Sequence, residues 1–318
     1  MTRYDESDLR RAAAAGIQAP SMHNSQPWAF RLRDGAIEVL ADPSRQLAVA
    51  DGGGGWAMRL ACGSATFNAR LALAWSGTPA EVRLLPDPEQ PEVIARLTAT
   101  RHRPPTYAER DLHAAIERRS SHRDPFWPDP VPAEIRVRLI EAARTEYAWL
   151  DLLVGMTALT GFSEIAHSAD RVLRRDTRYQ SELVTWTDTD SAQDGIPVVA
   201  AATVGEPQDL IPQRNFGNRH RPAGRDYEPE PLVGILGTAG DRRLDQVTAG
   251  QALQHVLLRA TDAGLASSMI SQPIEVPAAR DQLRRSLGRS GFPQIAFRIG
   301  YGRSGHPSPR RDVDAVIR

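Results

Sequence analysis

The sequence predicts an α+β protein built from two related halves, each with a small and mostly antiparallel sheet flanked by helices. Helical apolar patterns alternate with short strand patterns along all 318 residues. The order is similar in the two halves: a helix, a loop, a strand, one or more helices and a later strand. No strict sequence repeat accompanies this similarity, so a single irregular α+β domain is the alternative interpretation.

Each half has its own run of predicted helices and strands. In the first half we predict helices over residues 6–16 and 56–75, and strands over residues 28–32, 37–41 and 81–85. In the second half we predict helices over residues 112–118, 133–147, 157–175, 179–186, 244–263 and 276–287, and strands over residues 150–154, 231–237 and 295–299. Residues 98–111 are polar and carry Pro104-Pro105, which predicts a linker.

The composition fits a globular protein and excludes several kinds of site. A net charge of zero argues against nucleic acid or a membrane surface as partner. No stretch approaches the roughly 18 apolar residues of a membrane span and the acidic N-terminus lacks an export signal, so we expect a cytoplasmic location. Cys62 is the single cysteine, which excludes an internal disulfide. All 39 basic residues are arginine, so a bound phosphate would be held by arginine, backbone N–H or hydroxyl groups.

The first candidate site is the stretch Pro-Ser-Met-His-Asn-Ser-Gln-Pro-Trp at residues 20–28, which we call the polar loop. It follows a predicted helix and precedes a predicted strand, and its two prolines restrict the backbone. Ser21, Asn24 and Gln26 therefore offer hydrogen-bonding groups at fixed positions, which suits a flat ligand with donors and acceptors along its edge. An ordinary turn is the alternative, since Asn, Ser and Pro also dominate turns.

The second candidate is Arg-Ser-Ser-His-Arg at residues 119–123, which we call the arginine segment. In an extended chain alternate residues project to the same side. Arg119, Ser121 and Arg123 would then converge, and two guanidinium groups with a hydroxyl suit a phosphate monoester. The alternative is a solvated basic helix end, because cations are favoured at a helix C-terminus.

Two further clusters lie near the C-terminus. Gly264 ends a predicted helix and small residues follow it, so the backbone of residues 264–272 can approach a ligand closely. A glycine-capped helix end is the alternative for that stretch. Residues 301–311 place Arg310 and Arg311 among Gly, Ser and Pro, which by itself is typical of a basic tail.

Together these four segments resemble the nitroreductase superfamily of FMN enzymes, which implies a nitroreductase-like fold. The polar loop resembles the family's Pro-Ser-x-x-Asn-x-Gln-Pro-Trp loop beside the flavin ring, and the arginine segment is similar to its Arg-x-Ser-x-Arg phosphate motif. Residues 264–272 resemble the family's segment at the flavin N5 edge. The resemblance implies FMN as cofactor, bound by Ser21, Met22, Asn24, Gln26, Arg119, Ser121, Arg123, Met269, Ile270, Ser271, Arg310 and Arg311. It implies no separate catalytic side chain, because the flavin carries the chemistry.

The order of the motifs departs from that of a typical family member. There the phosphate motif precedes the ring loop, whereas here it follows about 100 residues later and neither motif recurs. Because the family builds its flavin sites at a homodimer interface, this order implies a fused pseudo-dimer with halves 1–105 and 106–318. One FMN per chain would take its ring loop from the first half and its phosphate contacts from the second.

The same arrangement resembles the Acg-like branch of the family, whose members are described as holding FMN under a lid. Residues 187–230 are irregular and are our candidate lid. Two functions stay open: NAD(P)H-linked reduction of a small aromatic or quinone-like acceptor through the flavin, or sequestration of FMN with little turnover. A flavin-free scaffold that binds a partner is a third. The chain is expected to be a monomer or a homodimer.

Overall fold

The computed structural model describes residues 3–187, 193–197, 209–214, 230–302 and 307–318. Within these ranges the chain forms two four-stranded sheets surrounded by helices, and every pair of neighbouring strands is antiparallel. This architecture confirms the predicted α+β class.

The two sheets share one strand order. The first sheet contains β1 (Trp28–Arg33), β2 (Ala36–Ala41), β3 (Ala80–Leu84) and β4 (Val93–Ala99). The second contains β5 (Trp149–Leu153), β6 (Leu232–Thr238), β7 (Ala266–Ile270) and β8 (Phe292–Gly300). Neighbouring strands follow the order β1-β2-β4-β3 in the first sheet and β5-β6-β8-β7 in the second. The similarity of layout read from the sequence is therefore present in the strand topology.

Helices cover the sheets and connect their strands. Those in the described part of the chain are α1 (Glu6–Gly16), α2 (Trp56–Trp75), α3 (Tyr107–Arg118), α4 (Ala133–Thr145), α5 (Met156–Arg175), α6 (Thr177–Thr185), α7 (Arg243–Asp262), α8 (Gln272–Glu275), α9 (Pro277–Ser286) and α10 (Val313–Val316). The bounds predicted for α1 and α2 are confirmed. None of the described helices is long and apolar enough to cross a membrane.

Several elements differ from the sequence prediction: strands β4 and β7 and the short helices α8 and α10 are absent from it, and β8 and α3 begin earlier than predicted. Strand β4 extends into the predicted linker at residues 98–111. Helix α3 begins before residue 112 because Thr106 and Glu109 form a capping box that satisfies the first backbone N–H groups. The segment without regular structure between β4 and α3 is thus shorter than the predicted linker.

Helices α2 and α7 cross at two glycines. A Cβ atom on Gly63 would lie 2.2 Å from the carbonyl oxygen of Val247, and one on Gly250 would lie 2.0 Å from that of Leu60. Both obstacles are backbone atoms, so no side-chain rearrangement could make room for them. The crossing therefore requires glycine on both helices and fixes α2, from the first half, closely against α7, from the second.

The C-terminal tail, residues 307–318, returns to the first sheet. Ile317 forms a parallel bridge with Phe30 of β1, and the backbone N–H of Arg318 donates to the Phe30 carbonyl at 2.8 Å. Val316 is fully buried in the core beneath this sheet. A segment that follows the second sheet is thereby anchored on the first.

Candidate functional site

A cavity of about 300 Å³ lies where the polar loop, the arginine segment and the second sheet meet. This volume falls at the lower end of the range of small-molecule sites. Its lining includes all but two of the residues expected at a flavin site, namely Ser21, Met22, Asn24, Arg119, Ser121, Arg123, Met269, Ile270, Ser271 and Arg310. The exceptions are Gln26 and Arg311.

The polar loop is held in an uncommon backbone conformation. His23, Asn24 and Gln26 have φ angles of 52°, 56° and 51°, in the left-handed region that costs energy for residues with a side chain. The Ser21 hydroxyl accepts the backbone N–H of Gln26 at 2.9 Å and closes the loop. The loop is therefore stiff, as its prolines predict, and it places Ser21, Met22 and Asn24 on the cavity wall.

The two amide side chains of the polar loop bind protein groups. Asn24 donates to the carbonyl oxygens of Gly195 and Pro309 at 3.0 and 2.9 Å, and its own oxygen accepts from Arg310 at 3.0 Å. Gln26 is fully buried and lies outside the cavity lining. We expected both amides to face a ligand, but only Asn24 lines the cavity and Gln26 does not.

The arginine segment is extended and runs beside β7. Ser121 forms a parallel bridge with Ser267, and the backbone N–H of His122 donates to the Ser267 carbonyl at 2.8 Å. Arg119, Ser121 and Arg123 line the cavity, as their alternation predicts, and Ser120 lines it too. His122 does not line the cavity but stacks on Phe126, with 4.9 Å between ring centroids.

Of the two arginines in the arginine segment, the first is buried and the second is partly buried. Arg119 is 6% exposed, which rules out the alternative of a solvated helix end. Its Nε and Nη1 atoms have no hydrogen-bond partner in the described part of the chain, and neither does Nε of Arg310. Burying a cation without a partner is costly, so these groups indicate a place for an anion.

Burial and mutual repulsion lower the pKa values of these arginines. Burial, with the charges of Arg310 and Arg123, lowers the pKa of Arg119 to about 9. Burial lowers the pKa of Arg123 to about 10 and, together with the charge of Arg123, that of Arg310 to about 10. All three remain protonated at pH 7 and form a concentrated positive charge on one side of the cavity.

The opposite wall is mainly apolar. Helix α2 contributes Trp56 and Leu60, and α7 contributes Leu253. Residues 268–271, which belong to β7 and the turn after it, also line the cavity. A ligand with a phosphate-like end and a flat, largely apolar body fits these two surfaces.

Arg214 is a site residue that the sequence analysis missed. Its guanidinium forms an ion pair with Glu275 at 2.5 Å, and the second Glu275 oxygen accepts the hydroxyl of Tyr179 at 2.8 Å. Arg214 also lies 3.4 Å from the Ser271 hydroxyl and 3.2 Å from Nε2 of His23. Burial favours the uncharged form of Arg214, but the charge of Glu275 outweighs this and raises its pKa.

His23 and Arg298 are two further lining residues outside the predicted set. Burial lowers the pKa of His23 well below its ordinary value, and the charges of Arg214 and Arg123 lower it further, so His23 is neutral at pH 7. Arg298 of β8 is 3% exposed, donates to the Asp124 carbonyl at 3.0 Å and covers the ring of Phe126 at 4.8 Å. The Arg-x-Ser-x-Arg pattern gives no indication of this arginine from the strand.

Arg311 lies outside the cavity lining, contrary to the expectation that it contacts phosphate. Its side chain points back to the first half, where it donates to the carbonyls of Gln26 and Trp28 at 3.4 Å each and to that of Ala315 at 2.8 Å. The two neighbouring arginines of the tail therefore have different contacts. Arg310 lines the cavity, whereas Arg311 donates to carbonyls of the polar loop.

Only parts of the candidate lid fall within the described residues. Of residues 187–230, Thr187, residues 193–197, residues 209–214 and Glu230 are described, and the rest of the prediction lies outside the described residues. Ile196 in the first piece and residues 211–214 in the second line the cavity. The described pieces are thus part of the wall.

Two curated proteins of Mycobacterium tuberculosis (strain ATCC 25618 / H37Rv) are similar to the chain over nearly its whole length. "Putative NAD(P)H nitroreductase Rv3131" is 31% identical over 322 residues, covering 98% of this chain and 92% of its own. "Putative NAD(P)H nitroreductase acg" is 28% identical over 320 residues, covering 97% of this chain and 95% of its own. No protein-family model matches the chain.

Solved structures also overlap part of the chain. The FMN-dependent nitroreductase NfnB from Mycobacterium smegmatis, in complex with NADPH, is 17% identical, with a TM-score of 0.44 over 66% of this chain and 97% of that one. A nitroreductase with bound FMN from Desulfitobacterium hafniense DCB-2 is 14% identical, with a TM-score of 0.42 over 64% of this chain and 95% of that one.

Proposed function

We propose that this chain, which belongs to the nitroreductase family of its mycobacterial relatives, binds FMN in the cavity and uses it to reduce a small aromatic or quinone-like acceptor with NAD(P)H. The observation that carries the proposal is that Nε and Nη1 of Arg119 and Nε of Arg310 are buried without a partner among the described residues, in a cavity that apolar side chains also line. A phosphate would supply the missing acceptors, and a flavin ring would fill the apolar part.

The fit assigns the two ends of the cofactor to different elements. Arg119, Ser121, Arg123 and Arg310 would hold the phosphate through charge-assisted hydrogen bonds. Ser21, Met22 and Asn24 of the polar loop would flank the ring, opposite the backbone of residues 269–271. When bound, FMN supplies the redox chemistry, so the protein needs no nucleophile or metal of its own.

The chain's own residues would fix the ring and keep water from it. The strained polar loop is rigid before any ligand binds, so little conformational entropy is lost on binding. The neutral ring of His23 and the ion pair of Arg214 with Glu275 close one part of the wall. The reductant and the acceptor would then bind one after the other in the part of the cavity that stays open.

The same proposal treats the chain as two fused halves, residues 1–105 and 106–318, with one cofactor site. The repeated strand order and the close crossing of α2 with α7 support this division. The polar loop comes from the first half and the arginine segment from the second, so the site needs both. Cofactor released from pure protein should amount to about one FMN per chain.

The function is tested on purified protein by absorbance and anaerobic stopped-flow. We expect the spectrum of oxidised flavin, bleaching of that spectrum by NADH or NADPH, and its return when a nitroaromatic or a quinone is added. Protein that stays colourless with added FMN would contradict the cofactor. Photoreduced protein that no nitroaromatic or quinone reoxidises, and that never oxidises NAD(P)H, would contradict the reductase activity.

Sequestration of FMN is the second candidate, and one observation favours it. The described pieces of the candidate lid line the cavity, and Arg214 joins one of them to Glu275 and Tyr179. If the lid prevents turnover, NADPH should reduce the flavin of Arg214→Met much faster than that of the unaltered protein. Equal rates in the two proteins would argue against occlusion by this segment.

A further inference from the structure

Gln26 is the polar-loop residue whose position differs most from the expectation of a ring contact. Its side chain is fully buried outside the cavity lining, and both ends of its amide are bound. The amide nitrogen donates to the Gln193 carbonyl at 2.7 Å, and the amide oxygen accepts the backbone N–H of Arg311 at 2.9 Å. Gln26 therefore joins the polar loop to the C-terminal tail.

The contact to Arg311 is adjacent to a residue that lines the cavity. Arg310 is partly buried, and its Nη1 donates to Asn24 at 3.0 Å and to the carbonyls of Ser308 and Pro309 at 3.1 and 2.9 Å. The tail lacks regular structure between residues 307 and 312. Its path there consequently depends on hydrogen bonds to the polar loop, of which Asn24 and Gln26 supply several.

We propose that Gln26 is a positioning residue for the phosphate end of the cofactor site, and not a ring contact: by accepting the N–H of Arg311 it sets the direction in which Arg310 enters the cavity. The inference rests on the proposed binding of FMN. It assigns to the polar loop a second task, which is to hold a cation contributed by the opposite end of the chain. Gln26 itself touches neither the ring nor the phosphate.

This role has a consequence that a ring contact would not share. FMN and riboflavin carry the same ring, and only FMN carries a phosphate. A ring-binding residue contributes to the affinity for both, whereas a residue that places Arg310 contributes only to the affinity for FMN. The ratio of the two dissociation constants therefore separates a positioning role from a ring contact and from a general loss of structure.

The first experiment compares Gln26→Met with Gln26→Glu by titrating each apo-protein with FMN and with riboflavin. Gln26→Met keeps the volume but removes the acceptor, so we expect the preference for FMN to fall about tenfold or more, as in Arg310→Ala, with little change for riboflavin. Gln26→Glu keeps an acceptor for the Arg311 N–H and should retain most of the preference. Equal losses for both flavins in Gln26→Met would overturn the proposal.

A second pair of variants tests the hydrogen bond between the Arg311 N–H and the Gln26 amide oxygen by changing the tail. The sequence of the polar loop stays the same in both variants. Arg311→Pro removes the backbone N–H, whereas Arg311→Ala keeps it and removes only the guanidinium. We expect Arg311→Pro to lose the preference for FMN and Arg311→Ala to keep it. The opposite ranking would mean that the Arg311 side chain, and not its N–H, directs the tail, which would overturn the proposal.

Hydrogen exchange of the tail gives a readout that needs no flavin. In ligand-free protein we expect the backbone amides of Ser308 and of residues 310–312 to exchange faster in Gln26→Met than in the unaltered chain, with the first sheet unchanged. Unchanged exchange would overturn the role of Gln26 even if FMN binds well. Conversely, an unaltered chain that binds neither flavin would contradict the proposed function, while faster tail exchange in Gln26→Met would still support the structural contact.

Discussion

Arginines reach the cavity from two groups of elements, and the two groups differ in what neutralises them. Arg214 forms an ion pair with Glu275, whose side chain has no exposed surface, and the Tyr179 hydroxyl donates to the same carboxylate. Arg119 is buried and Arg310 is partly buried, and neither forms an ion pair with any described residue. Nε and Nη1 of Arg119 and Nε of Arg310 are buried without a partner among the described residues.

The difference separates a structural ion pair from a binding site in the same cavity. A paired buried cation has its partner in the folded chain, so its removal disturbs the fold. An unpaired buried cation lowers the stability of the ligand-free chain, and its retention makes physical sense if an anion completes it. We therefore expect changes in the two groups to affect different measurements, one the free energy of unfolding and the other ligand affinity.

The largest effect is expected when both unpaired arginines are removed. In the double variant Arg119→Met/Arg310→Met, each lost charge-assisted contact should cost about 1.5–3 kcal/mol of binding free energy. The Kd for FMN should therefore rise more than about 100-fold. Fluorescence titration of apo-protein with FMN measures it. The exposed Arg171→Met is the control and should leave the Kd unchanged. An unchanged Kd in the double variant would mean that the cation cluster does not bind the phosphate.

One of these two groups could be predicted from the sequence and the other could not. Arg119, Ser121 and Arg123 alternate in a short motif, and alternation in an extended chain has a simple geometric meaning. Arg214 lies in an irregular stretch with no periodic pattern, and its partner Glu275 is 61 residues away. Pairing between such positions depends on the tertiary fold, which local pattern does not encode.

Strand β7 and Gln26 are two further cases in which the local sequence does not determine the tertiary contacts. Small residues make up most of β7 and have little preference for strands, so the strand forms because β8 and the arginine segment offer it hydrogen-bond partners. The prolines of the polar loop predict a restricted backbone, but they do not show what its amides bind, since an amide can bind a ligand or a backbone equally well. Composition alone could not reveal that Gln26 faces the C-terminal tail.

The second effect in size concerns the paired group. Glu275→Gln removes the partner of a buried cation, so we expect the free energy of unfolding to fall by about 3 kcal/mol in urea denaturation of the apo-protein. Adding Arg214→Met should recover part of this loss, because no uncompensated charge then remains. In the exposed pair of Arg83 with Glu81, the matched variant Glu81→Gln should change stability by less than about 0.5 kcal/mol. Similar losses at both carboxylates would contradict the distinction.

The smallest effect has the opposite sign and applies to the unpaired group. Nη2 of Arg119 donates to the Gln18 carbonyl at 3.4 Å, but Nε and Nη1 have no partner in the described part of the chain. Arg119→Met replaces this buried charge with an apolar side chain of similar length, so the ligand-free protein should become more stable by about 1 kcal/mol. Urea denaturation without FMN measures it, again with Arg171→Met as control. In excess FMN the ranking should reverse, because the unaltered chain gains binding free energy that the variant has lost. A loss of stability in both conditions would show that the hydrogen bond of Arg119 to the Gln18 carbonyl outweighs the cost of its unpartnered atoms, and the contrast with Arg214 would then not hold.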